Sequence, residues 1–494
     1  MSSKQTSYRS IFKATSIFGG VQVFNILVTL IRGKATAVLI GTTGMGLNGF
    51  LLSGLKLISS LTSLGISSSA VRDLSIAYGE SDDNRFETTY TVFRNWIWFT
   101  AILGVLSSIL FAPLLSQFAF GNNSYTSAYV WLSTTFIFGA LSGGIYTVLR
   151  AVRKVNYLAQ ANIYGSVGGL LVTLPILYYW RIDGVMPSII AASAVTYFIS
   201  IYFRKKVNIK VLNLNLKETF NLGKPMVVMG INMSLSSVLA SVSVFILSAF
   251  ITNQGSLSDL GLYSAGMSIM GGYIGMVFTA IGTDYFPRLS AVINDEIKWK
   301  EVVHHQAELV LILLTIVLVL LVVTSPILIR ILLSREFLDT RDFIIISALS
   351  IPLKGLVWVL GFVILSKGDN RLFFITELLS NTWFLGFNLL FYFFYSIEGI
   401  AISMVLNYLL SIFMMLFIMK KYYNYHIKRS VYLLLIVGII SILALVLSYI
   451  YIEGTLQIGL LVLISLLALV YQFYELNKRL NIKEILMSKF LKKE

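Results

Sequence analysis

The sequence contains no cysteine among its 494 residues and few charged side chains. The absence of cysteine excludes disulfide bonds and thiolate metal sites. Charged residues make up only 12% of the chain, about half the share of a soluble domain, while 57% is hydrophobic. So little charge cannot cover a surface that faces water. The composition therefore excludes a soluble enzyme, a nucleic-acid binder and a disordered scaffold, and it predicts a polytopic membrane protein.

Motifs of common catalytic sites are also missing from the sequence. There is no phosphate-binding loop of the G-x-x-x-x-G-K-[ST] type, no H-E-x-x-H zinc motif and no nucleophile elbow. The three histidines are His304, His305 and His426. We predict that His304 and His305 form a solvated pair in a loop, without acidic partners at the spacing of metal ligands. The sequence thus predicts no enzyme, no metal centre and no cofactor, and leaves open a coupling proton or sodium ion.

Long apolar segments separated by glycine, proline and charge predict fourteen membrane-spanning helices. Each crossing needs about 20 apolar residues, so fourteen crossings leave room only for short loops and a tail. No cleavable signal peptide is expected, because no short apolar segment near the start is followed by a small-residue cleavage site. The predicted helices are 10–39, 44–70, 91–118, 127–149, 156–180, 184–203, 222–251, 260–286, 306–333, 342–366, 372–395, 398–419, 430–451 and 455–474.

Positive charge is concentrated on one side of this predicted topology. Connections after even-numbered helices carry clusters such as Arg204, Lys205 and Lys206, whereas Gly121–Ser124 on the other side carries no charge. The positive-inside rule then places both termini in the cytoplasm. The net charge of +15 therefore indicates orientation and not a nucleic-acid partner. The predicted cytoplasmic tail adds Lys478, Arg479, Lys483, Lys489, Lys492 and Lys493.

Two short motifs recur in the second half of the chain. Gly44–Leu47 begins the second predicted helix and Leu260–Leu262 begins the eighth, an offset of about 215 residues. Arg72–Ser75 and Arg288–Ser290 recur near the ends of the same helices. Duplicated bundles are typical of secondary transporters. We therefore predict an all-α fold of about fourteen transmembrane helices: a six-helix lobe at 1–210, a second at 211–425, and two further helices with a cytoplasmic tail at 426–494. The segment Lys205–Lys224 is predicted to link the lobes along the membrane surface.

Four cations fall within predicted membrane helices: Arg32, Lys34, Lys56 and Lys354. A charge exposed to lipid at a helix centre costs about 2.5–3.5 kcal/mol, so such side chains are expected to face an aqueous cavity or a partner. A cavity lined by arginine and lysine suits an anionic ligand, above all one with phosphate oxygens. For Arg32 and Lys34 the alternative is that the side chain reaches toward the outer headgroups.

Polar residues recur at helical spacing on the same predicted helices. They either line the same cavity and bind sugar hydroxyls, or they bring helices into close contact. Glu377 and Asp284 are candidates for binding a coupling ion, with pairing of Asp284 to Arg288 and of Glu377 to Arg371 or Lys354 as the alternative. The candidate cavity residues are Gln22, Asn25, Ser53, Ser60, Ser237, Ser350 and Asn381.

The stretch from Arg32 to Leu47, followed by Gly65–Arg72, resembles the opening of bacterial O-antigen and polysaccharide flippases. These belong to the multidrug/oligosaccharidyl-lipid/polysaccharide exporter (MOP) superfamily. The likeness extends through the two-lobe layout, the Gly261-Leu262 element and the terminal helix pair.

This resemblance implies a MATE-like fold with two lobes in a V, in the bacterial inner membrane. It implies a flippase that moves undecaprenyl-diphosphate-linked oligosaccharide, an O-antigen or related repeat unit, from the cytoplasmic to the periplasmic leaflet by alternating access. It further implies that the last two helices help to hold the lipid tail. The implied partners are the lipid bilayer, the glycolipid, and the polymerase and glycosyltransferases of the same pathway.

Three other functions compete with this interpretation. A lipid II flippase is also expected to have a basic cavity, so the sequence separates it poorly. A drug or cation antiporter of the same superfamily should have a deep acidic site, and the surplus of deep cations argues against it. A membrane scaffold without transport activity needs no deep charges, so Lys56 and Lys354 argue against that function.

Overall fold

The computed structural model describes residues 3–80 and 82–480, so the predicted tail cations Lys483, Lys489, Lys492 and Lys493 lie outside the described residues. Within those ranges the regular elements are α-helices and two short 3-10 helices, at Arg181–Gly184 and Arg335–Phe337. The α-helices are α1 (Ser3–Thr62), α2 (Ile66–Gly79), α3 (Asp83–Phe120), α4 (Thr126–Leu132), α5 (Thr134–Ala151), α6 (Val155–Trp180), α7 (Val185–Lys205), α8 (Leu216–Gln254), α9 (Leu257–Val292), α10 (Glu296–Leu332), α11 (Thr340–Ala348), α12 (Ser350–Lys367), α13 (Asn370–Tyr423), α14 (Arg429–Tyr451) and α15 (Gly454–Leu480).

Eleven helical segments of the described chain are long and apolar enough to cross a membrane. Three of them, Phe24–Thr62, Val155–Lys205 and Asn370–Tyr423, contain a break, and counting each as two crossings gives fourteen. The helical fold predicted from the sequence is thereby confirmed.

The break in α1 falls at Gly41, where φ is 64° and ψ is −166°. Glycine reaches this conformation without the steric cost that a Cβ would add. A break also frees carbonyl groups from the helical hydrogen-bond ladder. Arg181 satisfies one of them, because its Nη1 donates to the carbonyl oxygen of Leu39 at 3.0 Å.

Several predicted helix boundaries differ from the structure, and two of them change the surroundings of predicted residues. The second predicted helix ends at Thr62 and not at 70, because Leu64 and Gly65 have positive φ and turn the chain into α2. The predicted helix 306–333 begins at Glu296, where the Asp295 carboxylate accepts a hydrogen bond from the backbone N–H of Lys298 at 3.1 Å. A side-chain acceptor just before the first turn is a typical helix start.

The longer α10 corrects the prediction for the histidine pair. His304 and His305 lie inside this helix, and His304 is only 7% exposed. Its Nε2 lies 3.6 Å from Oε1 of Glu308, one turn further along. The predicted solvated pair in a loop without an acidic partner is therefore wrong. The hydrophobic run after residue 306 concealed a helix start ten residues earlier.

The chain forms two compact units. The first contains α1 to α8, the start of α9 up to Ser264, and Leu332–Ser334; the second contains the rest of α9 to α15. In the first unit α8 packs against α1, α2 and α3. This division falls at Ser264, later than the predicted lobe boundary at residue 210. Duplication into two six-helix lobes remains a prediction.

The predicted linker Lys205–Lys224 is shorter than expected. Helix α8 begins at Leu216, where the side chains and backbones of Asn215 and Glu218 form a reciprocal capping box. The remaining connection packs on the first unit: the backbone N–H of Leu212 donates to Oγ1 of Thr91 at 3.0 Å.

The two glycine motifs noted in the sequence pack directly on each other. A Cβ added at Gly46 would lie 1.8 Å from the carbonyl oxygen of Leu257, and one at Gly261 would lie 2.0 Å from that of Thr42. The hydroxyl of Ser258 donates to Oγ1 of Thr42 at 2.8 Å beside this contact. Glycine is therefore required at both positions, because only a hydrogen atom fits between the two backbones.

We expect Gly46→Ala to destabilise the purified protein by about 1–3 kcal/mol, since the new methyl group must push two backbones apart. The matched control is Gly33→Ala, also in α1, where a Cβ meets nothing within 4 Å. That control should be neutral or slightly stabilising, because alanine favours a helix by about 0.8–1 kcal/mol over glycine. Thermal unfolding in detergent measures both changes. Equal midpoints for the two variants would contradict this packing argument.

Candidate functional site: basic cavities of the first unit

Lys56 of α1 lines a cavity of about 410 Å³ inside the first unit. Its side chain is exposed, and within the described residues it forms no hydrogen bond or ion pair. The three N–H groups of the ammonium are thus available to a ligand. Hydroxyl groups from α1, α2, α3, α5 and α7 share the wall with Lys56: Ser59, Thr62, Ser63, Ser67, Thr100, Thr135 and Ser193.

Several of these hydroxyls already donate to the backbone of their own helix. Thr62 donates to Ile58 O at 2.8 Å, Thr100 to Ile97 O at 3.0 Å, and Ser193 to Ile189 O at 2.8 Å. A hydroxyl that donates in this way keeps its oxygen lone pairs as acceptors. These hydroxyls therefore need no ligand as a hydrogen-bond acceptor, and they can still accept hydrogen bonds from hydroxyl groups of a ligand.

A smaller cavity of about 170 Å³ adjoins this one and is lined by Arg32 of α1. The two cavities share Leu52, Ile189 and Ser193 as wall residues. Further polar lining comes from Thr36, Asn48, Thr173 and Ser188.

The guanidinium of Arg32 is only partly satisfied by the protein. Its Nη2 lies 3.4 Å from the carbonyl oxygen of Ser166, and its buried Nε has no hydrogen-bond partner in the described part of the chain. None of the residues that line the two cavities, all within the described ranges, is acidic. A half-buried guanidinium without a nearby carboxylate is suited to an anionic partner.

The structure thus brings Arg32 and Lys56 to adjoining cavities, whereas the other two predicted cations have different surroundings. Lys34 donates from Nζ to the carbonyl oxygen of Leu333. Lys354 lies in the second unit, half-buried, with its Nζ 5.8 Å from the ring centres of Phe278 and Tyr408. Aromatic faces at this distance stabilise a cation that is partly removed from water.

Most of the predicted polar cavity residues bond to their own helix. Ser53 is buried and donates to Phe50 O, while Ser60 donates to Leu57 O, and neither lines the Lys56 cavity. Ser237 is exposed and donates to Ser234 O; Ser350 is fully buried and donates to Ser347 O. The residues of α1 that line the cavity beside Lys56 are Leu52, Leu55, Ser59 and Thr62. The remaining predictions are Asn25, which accepts from Ser166 Oγ at 3.0 Å, Asn381, which donates to Glu377 O at 2.8 Å, and Gln22, whose side chain is outside the described part.

The two acidic candidates differ in their partners. Asp284 lies 3.5 Å from the Arg288 guanidinium in the i, i+4 pair anticipated from the sequence, and both side chains are exposed. Glu377 is half-buried in α13, and no ion pair of this carboxylate occurs in the described residues. The predicted pairing of Glu377 with Arg371 or Lys354 is therefore not observed.

Sequence reasoning missed the hydroxyls that α3, α5 and α7 contribute to the cavity, such as Thr100, Thr135 and Ser193. The sequence analysis predicted no deep cation in these helices, so nothing marked their polar face. A sequence signal exists in α7, where Ser188 and Ser193 interrupt an otherwise apolar run.

A family model described as polysaccharide biosynthesis protein matches residues 35–342, more than half of the chain. The chain belongs to this polysaccharide biosynthesis protein family. The match includes Lys56 and the hydroxyls around it, while Arg32 lies just before it. No curated protein matches the sequence.

Solved structures similar to this polysaccharide biosynthesis family protein are transporters and a flippase. The lipid II flippase MurJ, in an inward closed conformation, aligns with a TM-score of 0.70 at 13% identity over 95% of this chain and 99% of that chain. An inward-facing MATE family multidrug transporter of the MOP superfamily aligns with a TM-score of 0.63 at 14% identity. The alignment covers 80% of this chain and 92% of that chain. A mutant of the Vibrio cholerae MATE transporter VcmN aligns with a TM-score of 0.60 at 17% identity. The alignment covers 86% of this chain and 99% of that chain. Sequence identities this low show a shared fold and not a shared substrate. The MOP fold predicted from the sequence is confirmed.

Proposed function

We propose that this polysaccharide biosynthesis family protein is a flippase for an undecaprenyl-diphosphate-linked oligosaccharide, an O-antigen or related repeat unit. It moves the glycolipid from the cytoplasmic to the periplasmic leaflet of the bacterial inner membrane by alternating access through a basic cavity. The observation that carries this proposal is Lys56, a cation without a protein partner in the described chain, in a cavity lined by hydroxyl groups.

The chemistry of the two cavities matches the two parts of such a headgroup. A diphosphate is anionic, and ammonium and guanidinium groups are its usual partners in proteins. Lys56 and the unsatisfied Nε of Arg32 supply these groups. Sugar hydroxyls need acceptors, which the oxygens of Thr62, Thr100 and Ser193 provide.

A drug or cation antiporter fits this site less well. Its ligand requires carboxylates or an electronegative cavity, and no acidic residue lines either cavity in the described part of the chain. A lipid II flippase is the remaining alternative, because lipid II also joins sugars to a polyprenyl diphosphate.

Energy coupling, orientation and partners belong to the same proposal. Glu377, half-buried and without an ion pair in the described chain, is the better candidate for binding a coupling proton or sodium ion, since Asp284 is paired with Arg288. Both termini are proposed to be cytoplasmic, from the distribution of lysine and arginine. Glycosyltransferases would supply the glycolipid and a polymerase would consume it.

Deletion of the gene followed by analysis of lipid-linked saccharides tests the function. We expect an undecaprenyl-diphosphate oligosaccharide to accumulate in the inner leaflet, inaccessible to reagents added from the periplasm, and to disappear when the gene is restored. Mass spectrometry of extracted lipids identifies it. Accumulation of lipid II would instead support the lipid II alternative. Unchanged lipid-linked saccharides together with sensitivity to cationic drugs would support the antiporter and overturn the proposal.

A further inference from the structure

A third cavity of the first unit, about 430 Å³, has no serine or threonine in its wall, unlike the other two. It lies between the early part of α3, the later part of α5 and the end of α7, and Val211 of the following connection also contributes. The apolar residues that matter here are Phe93, Trp98, Leu141, Ile145 and Ile201. Such a surface is suited to an aliphatic chain.

Two arginines line this apolar cavity, and no acidic residue does so in the described ranges. Arg204, in the last turn of α7, donates from Nη2 to the hydroxyl of Tyr90 at 2.6 Å. Tyr90 and Arg94 are one turn apart on α3 and therefore share a face. The hydrogen bond to Tyr90 thus holds the Arg204 guanidinium beside the face of α3 that carries Arg94.

Arg94 differs from Arg204 in its polar contacts. It is half-buried, and within the part of the chain that the structure describes it forms neither a hydrogen bond nor an ion pair. Keeping a guanidinium against apolar surface without a partner is costly. A phosphate group would satisfy both arginines, because its several oxygens can accept the parallel hydrogen bonds that a planar guanidinium donates.

We propose that this cavity binds an anionic lipid, with its phosphate on Arg94 and Arg204 and its aliphatic chain along Phe93, Trp98 and Ile145. The cavity lies at helix ends that the sequence predicts to be cytoplasmic, where basic pockets between membrane helices bind lipid phosphates. This site is separate from Lys56 and does not depend on the proposed glycolipid transport. Two sources share the required chemistry: a phospholipid of the bilayer, and the polyprenyl phosphate carrier.

Trp98 lines the cavity and can report occupancy by fluorescence quenching. The purified protein is reconstituted into phosphatidylcholine vesicles that contain a small mole fraction of phosphatidylglycerol brominated on its acyl chains. The chain has 7 tryptophans, so the Trp98 signal is taken as the difference between the protein and its Trp98→Phe variant. We expect quenching of Trp98 to saturate at low mole fraction, and Arg94→Gln/Arg204→Gln to weaken binding by about tenfold or more.

The matched control is Arg85→Gln/Lys205→Gln, which removes two exposed charges from the same helices outside the cavity. It should quench like the unaltered protein. Arg94→Gln alone serves if the double variant fails to fold, because Arg94 has no hydrogen bond or ion pair within the described chain to lose.

Competition with two unlabelled lipids identifies which anionic lipid binds in the cavity. If unlabelled undecaprenyl diphosphate relieves the quenching at concentrations where unlabelled phosphatidylglycerol has no effect, the site binds the polyprenyl carrier. If phosphatidylglycerol relieves it at concentrations where undecaprenyl diphosphate has no effect, the site binds a phospholipid. Equal quenching by brominated phosphatidylcholine, or quenching unchanged in Arg94→Gln/Arg204→Gln, would overturn the proposal. Quenching of Trp98 does not depend on transport. A result that refutes lipid binding at this cavity therefore leaves the proposed flippase function untouched, and the reverse also holds.

Discussion

Lys56→Ala is expected to reduce export of the surface polysaccharide by about 10–100-fold while leaving the protein in the membrane. A hydrogen bond to a charged group contributes about 1.5–3 kcal/mol, and its loss in the transport transition state slows the step by that factor. Removal of Lys56 should cost little stability, because its ammonium has no partner in the described chain. The measurements are complementation of a null strain, with surface polysaccharide quantified against membrane protein level.

Lys205→Ala is the matched control for this experiment, since Lys205 is an exposed cation of the same unit that lines neither of the two cavities. Lys56→Arg keeps the charge and should retain most of the export. Lys354→Ala, in the second unit, is also expected to lower export, in addition to weakening contacts with Phe278 and Tyr408. Full complementation by Lys56→Ala, by Lys354→Ala and by the double variant would refute the basic cavity as the substrate site.

Arg479→Ala is expected to destabilise the protein by about 3–5 kcal/mol, the cost of leaving a buried charge without its partner. Nε and Nη2 of Arg479 each donate to one carboxylate oxygen of Glu308 at 2.8 Å. Glu308 is only 5% exposed, and Arg479 also pairs with Glu475 of its own helix. The bidentate contact joins α15 to α10 within the second unit, so its loss should release the end of α15.

Thermal unfolding and protease sensitivity of α15 measure this effect. Lys478→Ala is the control, because Lys478 is the exposed neighbour and should change stability by no more than about 0.5 kcal/mol. Replacing Glu308, Glu475 and Arg479 together by apolar residues of similar volume should recover much of the loss, since all three charges of this ion-pair cluster are then removed. An Arg479→Ala variant as stable as Lys478→Ala would show that this ion pair does not hold α15.

Ion pairs between residues of one helix could be predicted from the sequence. Asp284 and Arg288 are four residues apart, and the structure pairs them. His304 and Glu308 have the same spacing, yet the prediction missed them because it placed the histidines outside the helix. Periodicity thus gives a correct pair only when the helix boundary is also correct.

Polar residues at helical spacing predicted the residues of the cavity wall less well than the ion pairs within one helix. Ser53, Ser60 and Lys56 recur at helical spacing, but the two serines donate to their own helix and only Lys56 lines the cavity. In an apolar helix a hydroxyl can satisfy itself by bonding to the carbonyl three or four residues earlier. Its presence therefore does not tell whether water or a ligand lies beside it.

The sequence by itself determined the membrane class, the number of crossings and the presence of deep cations, because hydrophobic length and charge content are properties of the composition and of single helices. Only the tertiary structure decided which cations share a cavity, that Thr100, Thr135 and Ser193 face Lys56, and that Arg479 pairs with Glu308 across 171 residues of chain. The physical reason is that helical periodicity defines the faces of one helix, whereas a cavity or a buried ion pair depends on which other helix covers each face.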